Sequence, residues 1–227
     1  MNIFLRHKNT LLFCSIVGLI LIVYGVSFFR TSQNNDQIKR DGITKGLYLA
    51  VAPHEIIAGD ARAQIVVLEY LDFECPFCKT YHETQEPFLV NKYAQDSVAF
   101  ARRHMPLVYL HPYALVKAQM LECSVAQNPN IYADAVAYLF ANPLADINVY
   151  TNQFATALSL QEGTLSRCLT DGSTDDVIGR SMSKGALHGV SATPTFIIFK
   201  NGVERARIYG NRLSQIDTSI HLLLSEK

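Results

Sequence analysis

One stretch of the sequence decides the fold: Glu69-Tyr70-Leu71-Asp72-Phe73-Glu74-Cys75-Pro76-Phe77-Cys78. It follows an apolar run, 65–68, that predicts a buried strand, and it precedes residues 79–84, which predict a helix. Cys75 would then lie at the helix N-terminus, where free backbone N–H groups and the helix dipole favour a thiolate. Pro76 suits the first helical position, because its missing N–H costs nothing there. A Cys-x-x-Cys pair in this context predicts thiol–disulfide exchange.

Two other interpretations of the cysteine pair stay open at this point. The pair could be an inert structural disulfide, or it could be half of a zinc site, which needs two further Cys or His ligands. The remaining thiols, Cys14, Cys123 and Cys168, include no second close pair, and His82 is the only imidazole nearby. We therefore favour redox chemistry and expect neither a metal nor a cofactor.

Composition limits the other classes of function. The chain has 227 residues, 49% of them hydrophobic, which is enough for one sizeable domain with an insertion or for two small domains. Its formal net charge is zero, so nothing favours binding to nucleic acid. We expect a monomer with no nucleic-acid partner.

The N-terminal region differs from the rest of the chain. Leu11 to Phe29 is nineteen residues without a charge, preceded by Arg6 and Lys8. This length suits a helix that spans about 30 Å of hydrocarbon, and the basic tip predicts a cytoplasmic N-terminus. The domain would then face outward, where disulfides form and persist. The expected organisation is a cytoplasmic tip at 1–10, a transmembrane anchor at 11–29, a linker at 30–46 and a catalytic domain at 47–227.

The predicted location is therefore the cytoplasmic membrane, crossed once, with the catalytic domain on the periplasmic side. The alternative is a signal peptide whose cleavage releases a periplasmic or secreted protein.

Periodicity and turn residues predict an α/β fold in which helices cover both faces of a mixed sheet. Pro87 should kink or divide the helix that begins at Pro76. Thr174 is the expected N-cap of a later helix, and Asn201-Gly202 predicts a tight hairpin. The expected strands are 46–51, 65–71, 97–102, 194–199 and 203–209, and the expected later helices are 112–127, 130–140, 149–158, 164–169, 175–188 and 213–224.

From about Pro53 to its end, the chain resembles the DsbA-like branch of the thioredoxin superfamily. Three features carry the resemblance: Cys75-Pro76-Phe77-Cys78 after a strand, the segment 189–196 as the cis-proline loop, and the block of helices between them. The resemblance implies a thioredoxin fold with a helical insertion at about 111–188.

The resemblance also implies roles for individual residues. Cys75 and Cys78 would form the redox-active disulfide, with Cys75 as the nucleophile and Cys78 as the resolving thiol. The Thr193 backbone would pair with the substrate main chain. Pro194, taken alone, could equally be an ordinary trans proline at the start of a strand. The implied substrate-binding residues are Pro76, Phe77, Thr193 and Pro194.

Glu69 lies six residues before Cys75, where members of the family carry a buried acid. Burial in an apolar strand would raise the pKa of this carboxyl, so it could relay a proton to and from Cys78. The alternative is a Glu69 that points into solvent. His82 and His104 are expected to be surface residues or residues with satisfied hydrogen bonds.

Phe77 departs from the family pattern, because the strongly oxidising prototype carries His at this position. The pKa of Cys75 is therefore expected to lie between about 3.5, as in that prototype, and about 7, as in thioredoxin. Oxidation of exported proteins with free cysteines is the leading function, with reoxidation by a DsbB-like or similar membrane partner. An isomerase or reductase, or a peptide-binding chaperone module with a structural cysteine pair, are the alternatives.

Cys123 and Cys168 fall in separate predicted helices of the insertion. They could be two buried thiols that act as small hydrophobic residues. In an oxidising compartment a disulfide between them is slightly favoured.

Overall fold

The computed structural model describes residues 55–95 and 98–226. The predicted cytoplasmic tip at 1–10, the anchor at 11–29, the linker at 30–46 and the strand expected at 46–51 lie outside these residues. Within the described ranges, no helix combines the length and apolar character needed to cross a bilayer.

The described residues form one mixed sheet and eight α-helices. The strands are β1 (Ile56–Ala58), β2 (Ile65–Leu71), β3 (Val98–His104), β4 (Thr195–Lys200) and β5 (Val203–Tyr209). The helices are α1 (Pro76–Thr80), α2 (Glu86–Tyr93), α3 (Ala114–Gln127), α4 (Tyr132–Ala141), α5 (Ile147–Ala157), α6 (Glu162–Thr170), α7 (Asp175–Leu187) and α8 (Leu213–Ser225).

The sheet has the order β1-β3-β2-β4-β5, with β2 at its centre. β2 runs parallel to β3 and antiparallel to β4, while β1 and β5 pair antiparallel at the two edges. Of the β2 residues, all but Val66 are buried, because side chains from helices cover both faces of this strand. That coverage explains its near-continuous apolar sequence. The predicted α/β class with a mixed sheet is confirmed.

Helices α3 to α7 lie between β3 and β4 in sequence, as expected for the helical insertion. They enclose an apolar core that includes Met120, Leu139 and Phe154. Cys75 and Cys78 belong to the same cluster. The cysteine pair therefore lies where the insertion packs against the end of β2.

Three local predictions have different outcomes. Asn201 and Gly202 have φ angles of +53° and +78°, which confirms the tight hairpin. The helix from Pro76 is divided, as predicted, because a π-helical turn at Tyr81–Gln85 separates α1 from α2. Thr174 occupies the N-cap position of α7, as predicted, but its side chain makes no cap bond. The acidic side chains of Asp175 and Asp176 lie in the first turn instead, where they suit the helix dipole.

β1 was not predicted from the sequence. It has only three residues, too few to show an alternating pattern. Gly59 follows it with a φ of +84°, and a Cβ there would lie 2.2 Å from the Val98 carbonyl oxygen. The close approach of this turn to β3 therefore requires glycine.

Cys123 of α3 and Cys168 of α6 form a disulfide, with their Cα atoms 5.9 Å apart. The bond joins two helices of the insertion that are 45 residues apart in sequence. It is separate from the cysteine pair at 75 and 78, which is in the dithiol form.

Removal of this bond is expected to destabilise the insertion. The Cys123→Ala/Cys168→Ala variant should lose about 2–4 kcal/mol in its free energy of unfolding, because the bond restricts a long loop in the unfolded chain. Chemical unfolding followed by circular dichroism measures this. The pKa of Cys75 should be unchanged, and an unaltered free energy of unfolding would contradict the structural role of the bond.

Candidate active site

Cys75 is the N-cap residue of α1, and Pro76 is the first residue of the helix. The apolar β2 strand ends at Leu71, and the chain turns into the helix over residues 72–75. Cys75 is 4% exposed and Cys78 is fully buried. The geometry therefore leaves Cys75 as the sulfur nearer the surface, with Cys78 behind it.

The Thr193–Pro194 peptide bond is cis. This resolves the question that the sequence left open for Pro194. In the thiol form, the Cys75 Sγ lies 3.2 Å from the Thr193 carbonyl oxygen, which can accept its hydrogen bond. The backbone N–H of Gly210 donates to the Pro194 carbonyl at 2.8 Å and ties the loop to the end of β5. Thr193 and Pro194 thus lie directly opposite Cys75.

The pKa values of the two thiols are shifted in opposite directions. A hydrogen bond from the Cys78 thiol, which outweighs the effect of burial, lowers the pKa of Cys75 from 9.0 to about 5. Thr193 and the backbone N–H groups at the start of α1 lower this pKa further. Burial raises the pKa of Cys78 well above its ordinary value. At neutral pH, Cys75 is therefore a thiolate and Cys78 is protonated, and the Cys75 pKa falls within the interval expected from the sequence.

Glu69 is buried in β2 and does not point into solvent. Burial raises the pKa of its carboxyl to about 8, against the effect of the nearby Arg102 cation. The Arg102 Nε donates to Oε2 of Glu69 at 3.2 Å, while Oε1 is buried with no hydrogen-bond partner among the described residues. The Glu69 carboxyl also raises the pKa of Cys78, so the acid and the second thiol are electrostatically linked.

A buried charge network extends from Glu69 away from the cysteines. Arg102 of β3 also donates to Glu86 of α2, and Glu86 lies 2.9 Å from His82 Nδ1. Although burial alone raises it, Arg102 and His82 hold the pKa of Glu86 below its ordinary value. Arg102 thus pairs with the ionised carboxylate of Glu86 and donates a hydrogen bond to Glu69, whose carboxyl is protonated at neutral pH.

This network forms the polar floor of a groove of about 560 Å³. The apolar wall of the groove comes from β1, α2 and α4, through residues such as Ile57, Val90 and Val136. His82, Glu86 and Arg102 all line it. The groove therefore connects the network to the surface.

A second acidic group fixes the segment before Cys75. The side chain of Asp72 is fully buried, and it accepts hydrogen bonds from the backbone N–H groups of Glu74 and Leu107, each at 2.8 Å. Its Oδ2 also lies 2.8 Å from His111 Nδ1. These contacts bind the loop after β3 to the residues that lead into α1.

The structure brings most of the sequence-predicted site residues together. Four of them lie together in one cluster: Cys75, Cys78, Thr193 and Pro194. Glu69 lies behind Cys78. Pro76 begins α1, and Phe77 is 60% exposed beside Cys75. Cys123 and Cys168 lie apart from this group in the insertion.

Sequence reasoning missed the residues that surround Glu69 and those that hold the turn before Cys75. They are Arg102, Glu86, Asp72 and His111. Arg102 and Arg103 are adjacent in a strand whose first four residues are apolar, which is a signal for buried ion pairs. Among the described residues, no group of three or more His, Cys, Asp or Glu side chains could hold a metal ion.

Residues 51–217 match the family model described as thioredoxin. The chain belongs to the thioredoxin family. It is a DsbA-like member, and the crystal structure of DsbA2 from Pseudomonas aeruginosa superposes with a TM-score of 0.62 at 25% identity, covering 77% of this chain and 96% of that one. The thiol-disulfide exchange protein alpha-DsbA2 from Wolbachia pipientis superposes with a TM-score of 0.65, covering 84% of this chain and 98% of that one. Its 15% identity supports the fold alone.

The chain also matches part of a longer curated protein. The Na(+)/H(+) antiporter NhaA 3 of Salinispora tropica is 27% identical over 195 residues, which is 80% of this chain and 29% of the antiporter. The chain thus spans less than a third of the length of the first curated relatives that it matches.

Proposed function

We propose that this protein is a membrane-anchored thiol–disulfide oxidoreductase that forms disulfides in exported proteins through Cys75 and Cys78. The observation that carries the proposal is the difference between the two thiols, since the pKa of Cys75 is lowered and that of Cys78 is raised. A thiol with a pKa of about 5 is a good leaving group, so the dithiol form is favoured and the disulfide form is an oxidant.

The exchange begins with the oxidised pair. A thiolate of the client attacks the Cys75 Sγ, the Cys75–Cys78 bond breaks, and the Cys78 sulfur leaves with the electron pair. Cys78 takes up a proton, since its pKa is high. We assign the donor of that proton to Glu69, which is protonated at neutral pH with a pKa of about 8.

A second client thiolate then attacks the client sulfur of the mixed disulfide. The client gains a disulfide, and Cys75 leaves as a stable thiolate. The client has lost two electrons and the protein has gained them, so a membrane partner, DsbB-like or similar, must reoxidise the pair. The Thr193 backbone would hold the client main chain beside Cys75, with Pro76, Phe77 and Pro194 in contact with it.

The location forms part of the same proposal. Residues 11–29 anchor the protein in the cytoplasmic membrane, and the catalytic domain faces the periplasmic side. The charge-free length of the segment and its basic flank support this. A mature protein that is soluble and begins near Thr31 would contradict the anchor and favour a cleaved signal peptide.

Trapping of clients tests the roles of the two thiols. The Cys78→Ala variant lacks the resolving thiol, so mixed disulfides between Cys75 and exported proteins should accumulate. Non-reducing electrophoresis, followed by identification of the trapped proteins, measures this. The matched control is Cys75→Ala, which should trap none; trapping in the control alone would reverse the assignment.

Phe77→His should make the disulfide more oxidising. An imidazole beside Cys75 can donate to the thiolate or carry a positive charge, so the pKa of Cys75 should fall. Each pKa unit corresponds to an increase of about 30 mV in the reduction potential, while the dithiol form stays ionised.

Titration of the thiolate absorbance measures the pKa of Cys75, and equilibration with glutathione measures the reduction potential. Phe88→His is the control, because Phe88 is a comparably exposed phenylalanine in α2, and it should change neither. An unchanged potential in Phe77→His would mean that the Thr193–Pro194 loop or Glu69 sets the redox poise.

A further inference from the structure

The two carboxyls that contact Arg102 are hydrogen-bonded unequally. Both oxygens of Glu86 have a partner, since Oε1 accepts from the Arg102 guanidinium and Oε2 lies 2.9 Å from His82 Nδ1. Glu69 accepts one bond, from Arg102 Nε to Oε2 at 3.2 Å, and its buried Oε1 has no partner among the described residues. A buried carboxylate is stabilised by hydrogen bonds to both oxygens, so the bonding favours a negative charge on Glu86.

The surroundings of the two carboxyls differ in the same direction. Glu86 lines the groove of about 560 Å³, and its side chain is 11% exposed. Glu69 is not among the residues that line the groove, and its side chain is 4% exposed. Because a charge costs more free energy the further it lies from water, Glu86 is again the better site for the charge.

The ionisable groups that interact with the Glu69 carboxyl come from four neighbouring elements. They are Cys75 and Cys78 of α1, Tyr81 of the π-helical turn, Glu86 of α2 and Arg102 of β3. Arg102 is the only cation in this set. Two further groups contact the network at its outer end, Tyr132 at Arg102 and His82 at Glu86. Whether Glu69 is ionised therefore depends on which carboxyl takes the charge of Arg102.

We propose that Glu86 is a positioning residue for the reaction, because it takes up the positive charge of Arg102 and so keeps Glu69 in the protonated form that can donate to Cys78. This inference rests on the proposed function, which makes Glu69 the proton donor. Without the negative charge of Glu86, Arg102 would pair with Glu69 alone and ionise it before the reaction begins.

The proton step follows from this arrangement. When a client thiolate breaks the Cys75–Cys78 bond, the Cys78 sulfur leaves with the electron pair and the proton of Glu69 moves to it. Arg102 then faces two carboxylates, until a proton from the solvent returns to Glu69. The charge of Arg102 is thus at hand for Glu69 only after the proton has left.

The test variant is Glu86→Gln, which removes the charge but keeps the size of the side chain and an acceptor oxygen. Arg102 should then act on Glu69 alone, so the pKa of Glu69 should fall by about 1–3 units from about 8. The measurement is a pH titration of the protonated-carboxyl band in the infrared spectrum of the reduced full chain in detergent. The band of Glu69 is identified by its loss in Glu69→Gln.

Two controls accompany this variant. Glu83→Gln is the matched control, because Glu83 lines the same groove but its side chain is 47% exposed, and it should leave the pKa of Glu69 unchanged. Glu86→Asp keeps the negative charge, so the pKa of Glu69 should stay close to that of the wild type.

A double variant tests whether Arg102 mediates the effect. In Glu86→Gln/Arg102→Gln both charges of the pair are removed, so burial should keep Glu69 protonated with a pKa at or above that of the wild type. A pKa as low as in Glu86→Gln would overturn the proposal, because Arg102 would then not be needed for the fall.

Two other infrared results would also overturn the proposal. One is a Glu69 pKa that does not fall in Glu86→Gln, or that falls equally in Glu83→Gln. The other is a band that survives at neutral pH in Glu69→Gln, since the proton would then lie elsewhere than on Glu69. This second result needs only the wild type and Glu69→Gln, so it decides the question even if Glu86→Gln does not fold.

Oxidation of a dithiol peptide separates this inference from the proposed function. The rate constant, expressed per peptide thiolate, should fall as Glu69 loses its proton, and in Glu86→Gln this fall should occur at a pH lower by the same 1–3 units or so. A purely structural role of Glu86 would lower the rate without moving this pH. A wild-type chain that does not oxidise the peptide overturns the proposed function, whereas a chain that oxidises it but shows no infrared shift in Glu86→Gln overturns only the role of Glu86.

Discussion

Replacement of Arg102 by alanine is expected to lower the free energy of unfolding by about 3–5 kcal/mol, because it leaves buried carboxyls without their cation. The side chain of Arg102 is 4% exposed and pairs with both Glu69 and Glu86. Chemical unfolding of the full chain followed by circular dichroism measures the loss. The matched control is Arg180→Ala, which removes an exposed ion pair on α7 and should cost less than about 1 kcal/mol.

The same variant should show a distinct pH dependence. Without Arg102, burial raises the pKa values of Glu69 and Glu86 above those in the unfolded chain. A raised folded-state pKa gives stability that is lost as pH rises, so the destabilisation should be larger near about pH 8 than near about pH 5. A loss that does not change with pH would mean that packing, and not charge, explains the effect.

The second large effect concerns the thiol that donates to Cys75. Cys78→Ala should raise the pKa of Cys75 by about one to two units, since a hydrogen bond to a charged group is worth about 1.5–3 kcal/mol. Cys78→Ser is the matched control, because its hydroxyl can still donate and should keep the pKa close to that of the wild type. Thiolate absorbance measured against pH reports both values, and equal pKa values in the two variants would contradict the role of the Cys78 donor.

The low pKa of Cys75 also predicts how the stability of the dithiol form depends on pH. The folded-state pKa of about 5 lies below the ordinary value of 9.0. Ionisation therefore stabilises the folded dithiol form, fully above about pH 9, and this contribution is lost as pH falls through about 5. In Cys78→Ala the contribution should be smaller, and its loss should be complete at a higher pH, because the folded-state pKa of Cys75 is higher.

The sequence was most informative where the signal is local. The strand from Ile65, the helix from Pro76 and the hairpin at Asn201-Gly202 all follow from short patterns of apolar, proline and turn residues. The limits of β5, Val203–Tyr209, agree with the prediction residue for residue. A single pattern suffices in each case, because neighbours along the chain determine these elements.

Long-range contacts could not be predicted in this way. Arg102 meets Glu69 from 33 residues away and Glu86 from 16 residues away; the parallel pairing of β2 with β3 sets Arg102 opposite Glu69, and the packing of α2 on the sheet brings Glu86 to it. Thr174 occupies the N-cap position that the local pattern predicted, but its buried hydroxyl has no hydrogen-bond partner among the described residues and makes no cap bond. The resemblance to DsbA-like proteins gave the roles at the cysteine pair, but it did not reveal the contacts of Asp72 with the loop after β3.

The reduction potential of the Cys75–Cys78 pair tests the central claim most directly. The full chain is equilibrated with glutathione buffers, and the fraction of dithiol is measured by alkylation. A client-oxidising role and a Cys75 pKa of about 5 predict a potential between that of thioredoxin, about −270 mV, and that of DsbA, about −120 mV. A potential at or below the thioredoxin value would contradict the claim, because such a pair would reduce client disulfides.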